Sequence, residues 1–452
     1  MRMFTRRQAL AGAAAGALGA AGVYELVDRL AGGSPQRAAA GALPPEQHVL
    51  DGLRVITDNG VEVIVPPLHH QVVTAKVAVE ARGLRDAQRA LEDELAKLDA
   101  KYAPTPSGLG ITVAWGLPYF ERFVAAQWRA HAPFDRRAER PALLPTRAFP
   151  SDPSDTVLER NDVAILFRSD SLAHIAAGAK AIDALGVFDV TSIRKGFVGG
   201  GLPQKLARAA NIPGADLIPD GAELFLGFTS TQSQGLGPRK IANLETLGYA
   251  DLGPASYFRE GTHMHVSHIA EDLEAWYLNF DFQLRVDTAF RPHLHVPDGT
   301  QTVRQAPEDA ASPRSVERDY RTVRTIGHSA SIQTSSRLQT DHVAEDGTLY
   351  LKGTAVPQRA DFNTLDNPFF WPADPASQPQ AGVHFVVFNP TSDDFHRNRL
   401  AMDGVLPDGT KLPFQPRQRG QGFNDVLRTT HRQNFLVPPR RHRSFPLAEL
   451  TA

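Results

Sequence analysis

Two stretches of the chain repeat one succession of hydrophobic periods, and that repetition limits the fold more than any other feature. In the first, Val61–Val65 and Gln71–Glu80 (QVVTAKVAVE) alternate apolar and polar residues as strands do. Leu84, Ala87, Leu91, Leu95, Leu98 and Tyr102 then recur at spacings of three and four, the apolar stripe of one helix over 83–102. A strand-like run Ile111–Trp115, a Pro/Arg-rich connection through 155, a strand Asp162–Phe167 and an Ala-rich helix near 171–184 follow. Strand, helix, strand, strand, helix is the order of a ferredoxin-like unit. A second round opens at Thr262, where THMHVSHI alternates and Glu271–Phe280 reads as a helix with Leu273, Trp276, Tyr277 and Phe280 inward. Val383–Phe388 (VHFVVF) then answers the earlier ITVAW. The chain is therefore expected to be α+β, with two similar domains over 50–255 and 256–445. The Gly-rich stretch 187–260 reads as irregular and suited to lining a site. Asp-Gly-Thr at 298–300, 346–348 and 408–410 reads as loop tips, because no spaced carboxylates follow to make a metal loop.

Composition narrows the chemistry. Of 452 residues, 42% are hydrophobic, enough for one large core or two moderate ones. Lys and Arg number 48 against 50 Asp and Glu, a net charge of −2, which removes the cation excess that a nucleic-acid or anionic-membrane partner requires. Cysteine is absent, so disulfides, thiolate zinc sites, iron–sulfur clusters, cysteine nucleophiles and covalent haem attachment are excluded. Any metal or cofactor must rest on His, Asp, Glu, Tyr or Met.

Residues 1–40 read as an export signal and linker. Thr5-Arg6-Arg7-Gln8-Ala9-Leu10 is a twin-arginine pattern, and the uncharged Ala/Gly-rich run Ala9–Val23 is too short for a membrane span. A periplasmic or extracellular location is expected, with an uncleaved anchor as the one route to a membrane. Twin-arginine export carries folded proteins, often already loaded with a cofactor.

Histidine is the richest source of candidate ligands, with 16 in the chain. His263 and His265 alternate on one strand face, as do His293 and His295 if that segment is extended. These pairs define one reading, a His-coordinated metal enzyme. His69 and His70 are adjacent on a strand and point to opposite faces, so they do not share an ion. His328 stands apart in Ile326-Gly327-His328-Ser329-Ala330-Ser331.

The order of segments resembles the dye-decolourising (DyP-type) peroxidase family, haem proteins of two ferredoxin-like domains in the dimeric α/β-barrel superfamily. The pieces that carry the resemblance are GLGITVAWGLPYF (108–120), RNDVAILFRSDSLAHIAAGAKAI (160–182), ELFLGFTSTQ (223–232), EGTHMHVSHIAEDLEAWY (260–277), GHSASI (327–332), LYLKG (349–353) and AGVHFVVFNPTSDDF (381–395). They span about 55–440. The resemblance implies non-covalent haem b with His328 as its single iron ligand, and Asp393 or Asp394 as the carboxylate that supports the imidazole. It also implies hydrogen peroxide and an electron donor as partners, and leaves a homo-oligomer open. Two positions depart from the family. Ser230 stands where the GxxDG motif carries its acid, and a neutral hydroxyl cannot do that acid/base work. The arginine of the open face falls near Lys352, which keeps the charge and loses the planar fork. The expected function is thus an exported, weakly active, haem-binding peroxidase-like protein. The alternative reading is a non-catalytic haem-binding or fold-only binding protein.

Overall fold

A computed structural model describes residues 45–451, apart from 49, 59–60, 137–138, 229–239, 242–251, 254, 295–310, 339, 344–348, 351, 354–355, 370–378 and 416–420. Both predicted rounds are present, and each is a four-stranded antiparallel sheet backed by helices. The first runs β1 (His69–Val77), α1 (Leu84–Lys101), β2 (Gly110–Gly116), β3 (Val163–Ser169), α2 (Leu172–Asp183), β4 (Phe188–Phe197). The second runs β5 (Thr262–Glu271), four helices α3 (Leu273–Asn279), α4 (Phe282–Ala289), α5 (Pro313–Val323) and α6 (His328–Gln333), then β6 (Phe362–Thr364), β7 (Gly382–Asn389), α7 (Ser392–Met402) and β8 (Leu427–Val437).

Strand order is β4-β1-β3-β2 in the first half and β6-β7-β5-β8 in the second. The halves are joined at both edges. Trp115 and Gly116 of β2 pair with Leu436 and Phe435 of β8, and Asn363 of β6 pairs with Phe197 of β4. With β5 paired to β8 over its length, the eight strands close into a ring with no free edge.

Alternation assigns each side chain to the inside or the outside of that ring. Val72, Ala114, Ala164, Leu166, Met264, Val266, Phe362, Val386, Phe388, Phe435 and Val437 fill the interior. Small residues in the first half face larger ones in the second. The outer face of the first half meets the stripe of α1, whose Leu84, Ala87, Leu91, Leu95 and Leu98 are all buried beside Trp115 and Phe445. The outer face of the second half is covered by α7, with Phe395 against Phe385. The α3–α4 helices form a separate core with Phe225, Leu226, Trp276 and Phe290.

One expectation is corrected. The stretch 187–260 is not irregular at its start: Phe188–Phe197 is a full strand and Leu202–Ala209 a helix. Ser192 and Arg194 point into the barrel, which hides the apolar alternation that marks a strand. The Asp408-Gly409-Thr410 tip is present, with Gly409 at φ +87° and Leu406 N–H donating to the Thr410 carbonyl at 2.9 Å. The other two Asp-Gly-Thr sites lie outside the described residues. Among the described residues no helix is long and apolar enough to cross a membrane.

Candidate functional site

His328 opens α6, and close packing of backbone on backbone places it there. A β-carbon on Gly327 would lie 2.4 Å from the Phe290 carbonyl oxygen and 2.7 Å from Arg291 Cα, so only glycine lets the chain pass the end of α4. Ala330 N–H donates to that same Phe290 carbonyl at 3.0 Å, locking the first turn of α6. The imidazole packs against Phe423, ring centroids 4.9 Å apart. Its Nδ1 is buried and has no hydrogen-bond partner among the described residues. Burial, then the charges of Arg359 and Arg399, lower the His328 pKa to about 3, so the ring is neutral and its lone pair is available. The donor chemistry thus fits a residue that would hold a metal.

The other residues picked out in sequence are distributed differently. Asp393 and Asp394 lie in the first turn of α7, where acidic groups suit the helix dipole. Asp394 accepts from Thr391 N–H and Oγ1, both at 3.1 Å, closing a capping box, and pairs with Arg397. Asp393 pairs with Arg140 and with Arg397. Neither carboxylate bonds to His328. Lys352 is exposed in a turn after the short strand Leu349–Tyr350, its backbone N–H donating to Asp341 at 2.7 Å. Ser230 lies outside the described residues.

Sequence reasoning missed Arg359. The segment that pairs with β7 ahead of β6 is Gln358–Arg359, whereas LYLKG pairs only with His342–Val343. Arg359 is also the cation whose charge weighs most on His328. Its signal in sequence was weak, because a two-residue strand carries no period.

Among the described residues, the paired histidines do not come together as a metal centre. His263 and His265 are buried side by side on the outer face of β5, as alternation requires. His265, stacked on Phe395 at 3.5 Å, spends one nitrogen on Asn434 at 2.7 Å and the other on Ser267 at 2.6 Å. His293 is not on an extended strand: it sits at φ +68° in a turn, and His295 lies outside the described residues. Among the described residues, no three His, Asp or Glu side chains are arranged to hold a metal ion.

Buried neutral imidazoles recur through the barrel. Burial is the largest cause in each case, lowering His48, His396 and His431 to about 4 and His263 to about 3, with His70, His268 and His384 well below the ordinary value. His268 and His384, cross-strand neighbours, have Nδ1 atoms 3.3 Å apart, which requires at least one unprotonated ring. An imidazole that is neutral when folded and free to protonate near pH 6.5 when unfolded gives stability that is complete above about pH 6.5 and lost as pH falls toward the folded value. Each such group steepens the loss by up to about 1.4 kcal/mol per pH unit. Urea unfolding midpoints are therefore expected to drop steeply between pH 6.5 and 4, with a slope of more than one proton; a slope below one proton would contradict these protonation states.

The clefts among the described residues include two of note. One of about 190 Å³ lies between α2 and the β1, β3 and β4 strands, walled chiefly by apolar side chains such as Val73, Phe167 and Phe188, with Gln71, Lys180 and Asp183 also in its lining. The other, of about 290 Å³, is lined by Arg291, His293, Arg318 and Asp319, beside the turn that Gly327 packs against.

Residues 67–439 match a family of unknown function, DUF7405. No curated protein is matched. Among solved structures, a DyP-type peroxidase from Cellulomonas bogoriensis is similar at a TM-score of 0.50 and 17% identity, over 90% of this chain and 96% of that one. Ferric DtpA from Streptomyces lividans is similar at a TM-score of 0.51 and 16% identity, again over 90% and 96%. At such identities the likeness is one of fold, and it agrees with the closed pair of ferredoxin-like domains.

Proposed function

The chain belongs to DUF7405, a family of unknown function, and from that premise we propose that it is an exported haem-binding protein with peroxidase-like activity toward a bulky electron donor. The observation that carries this reading is His328: a lone, neutral imidazole at the start of α6, with a buried Nδ1 that has no partner among the described residues, in a barrel whose solved neighbours include a DyP-type peroxidase. His328 would hold the iron of non-covalent haem b, and a haem there supplies the redox chemistry between peroxide and donor. What the chain itself contributes is placement. Gly327 fixes where the ring starts, and Phe423 fixes how it lies.

We assign the anion-stabilising charge to Arg359, a guanidinium whose charge is already felt at His328, in preference to Lys352. Ser230 keeps its assignment from sequence as the position where the family's acid is missing. Asp393 and Asp394 reach the site only if one of them leaves its arginine. The export reading rests on Arg6-Arg7 and the run that follows.

Haem titration of the purified chain tests the proposal, with peroxide-driven dye oxidation as its other arm. Stoichiometric uptake with turnover supports the enzyme. Uptake without turnover selects the non-catalytic haem-binding protein, a reading favoured by Ser230 in place of the acid. No uptake contradicts both.

A further inference from the structure

The cleft of about 290 Å³ lies between the turn after α4 and one face of α5. Arg291 and His293 line it from the turn, and Arg318, Asp319 and Thr322 from α5, where residues three and four apart share a face. The turn is pinned by its own backbone and by α4. Leu294 N–H donates to the Arg291 carbonyl at 3.3 Å, Gln283 Nε2 donates to the Leu294 carbonyl at 2.9 Å, and His293 sits at φ +68°.

Two guanidiniums meet one carboxylate in this cleft. Arg291 Nε donates to Asp319 Oδ2 at 3.0 Å, and Arg318 Nε lies 3.5 Å from Oδ1. The Arg291 and Asp319 side chains are only 12% and 8% exposed, so the Arg291 fork is held in one place. It donates to Asp319 through Nε alone. Its Nη1 and Nη2 make no hydrogen bond among the described residues, and neither is shut off from solvent. Arg318, 67% exposed, makes no side-chain hydrogen bond among the described residues, and the His293 ring makes none either.

The other acids nearby are engaged elsewhere. Asp287, on α4, accepts from Gln283 Nε2 at 2.8 Å and from the His293 backbone, and is no part of the lining. Glu317 pairs with Arg321 at 2.6 Å. The Thr322 hydroxyl spends its proton on the Arg318 carbonyl at 3.0 Å. What the cleft offers a ligand is therefore N–H donors and one positive charge beyond what Asp319 neutralises.

We propose that this cleft binds an oxyanion, the carboxylate of a small organic acid or a phosphate, on the guanidinium forks of Arg291 and Arg318. Paired N–H groups of a planar guanidinium match two oxygens of such an anion, and a fork already held by a buried partner loses little freedom on binding. No bond forms or breaks. The proposal stands apart from the haem reading, although the ligand would lie against the turn whose Phe290 carbonyl takes the Ala330 N–H at the start of α6.

Calorimetric titration of the full-length chain with inorganic phosphate and, separately, with benzoate tests it, each against sodium chloride at matched ionic strength. Saturable binding of one anion per chain is expected for at least one of the two. Arg318→Gln, which removes an exposed side chain and spares the buried Arg291 pair, is expected to weaken that binding about 10-fold. Asp319→Asn, which removes the carboxylate that competes for both forks, is expected to tighten it by a similar factor; a merely structural Asp319 would not. Binding of phosphate alone identifies a phosphoryl ligand, and of benzoate alone a carboxylic acid. Binding of neither anion above the chloride control overturns the proposal, as does an affinity that Arg318→Gln leaves unchanged.

Discussion

Glu159→Ala is expected to destabilise the fold by about 3–5 kcal/mol, the cost of leaving a buried charge without its partner. Arg194 projects from β4 into the barrel beside Val72, its cross-strand neighbour, and its side chain is fully buried. Nη2 donates to both Glu159 oxygens, at 2.7 and 2.6 Å, in a bidentate pair. Once Glu159 is truncated, the guanidinium keeps only Ser192 Oγ at 3.1 Å and the ring of Phe369 at 4.9 Å. Neither replaces a counter-ion. Replacing both partners with methionine is expected to recover most of the loss, because the double variant buries no charge. Urea midpoints for Glu159→Met, Arg194→Met and the double variant form the cycle that measures the coupling. A loss below about 1 kcal/mol for Glu159→Ala would mean that the pair behaves as an exposed one.

Gly327→Ala is expected to have the next largest effect, and to strike the site as well as the fold. The backbone there, at φ −73° and ψ 125°, suits any residue, so conformation is not the obstacle. Space is: the added methyl would meet the Phe290 carbonyl oxygen, the Phe290 carbonyl carbon and Arg291 Cα at 2.4–2.8 Å, all backbone atoms that cannot rotate away. Overpacking of this kind costs about 1–3 kcal/mol, and here relief must move α6 away from α4, carrying His328 with it. The expected result is a lower urea midpoint together with impaired haem uptake. A variant of native stability and native haem affinity would show that the approach is looser than the structure has it.

The fold was legible in the sequence because most of its strands and helices announce themselves by period. QVVTAKV and ITVAW alternate or run apolar, α1 carries a five-residue stripe of leucine and alanine, and the same order returns after Thr262. β4 was missed where polar residues face inward, since Arg194 and Ser192 occupy positions that pattern reasoning reserves for apolar groups. The site was less legible. His328 was singled out by the order of segments, and the structure places it at a helix start built by Gly327. Arg359 carried little signal, because it sits on a two-residue strand. Asp393 and Asp394 were visible in the sequence, but only the fold shows Arg140 and Arg397 beside them.

His328 is the residue on which a haem would rest. The most direct test of this is the absorbance spectrum of the full-length chain titrated with haem, wild type against His328→Ala. The expected result is a Soret band that saturates at one haem per chain in the wild type and is lost or shifted in the variant, with both proteins equally folded by circular dichroism. An unshifted band of equal strength in His328→Ala, or no band in the wild type, would contradict it.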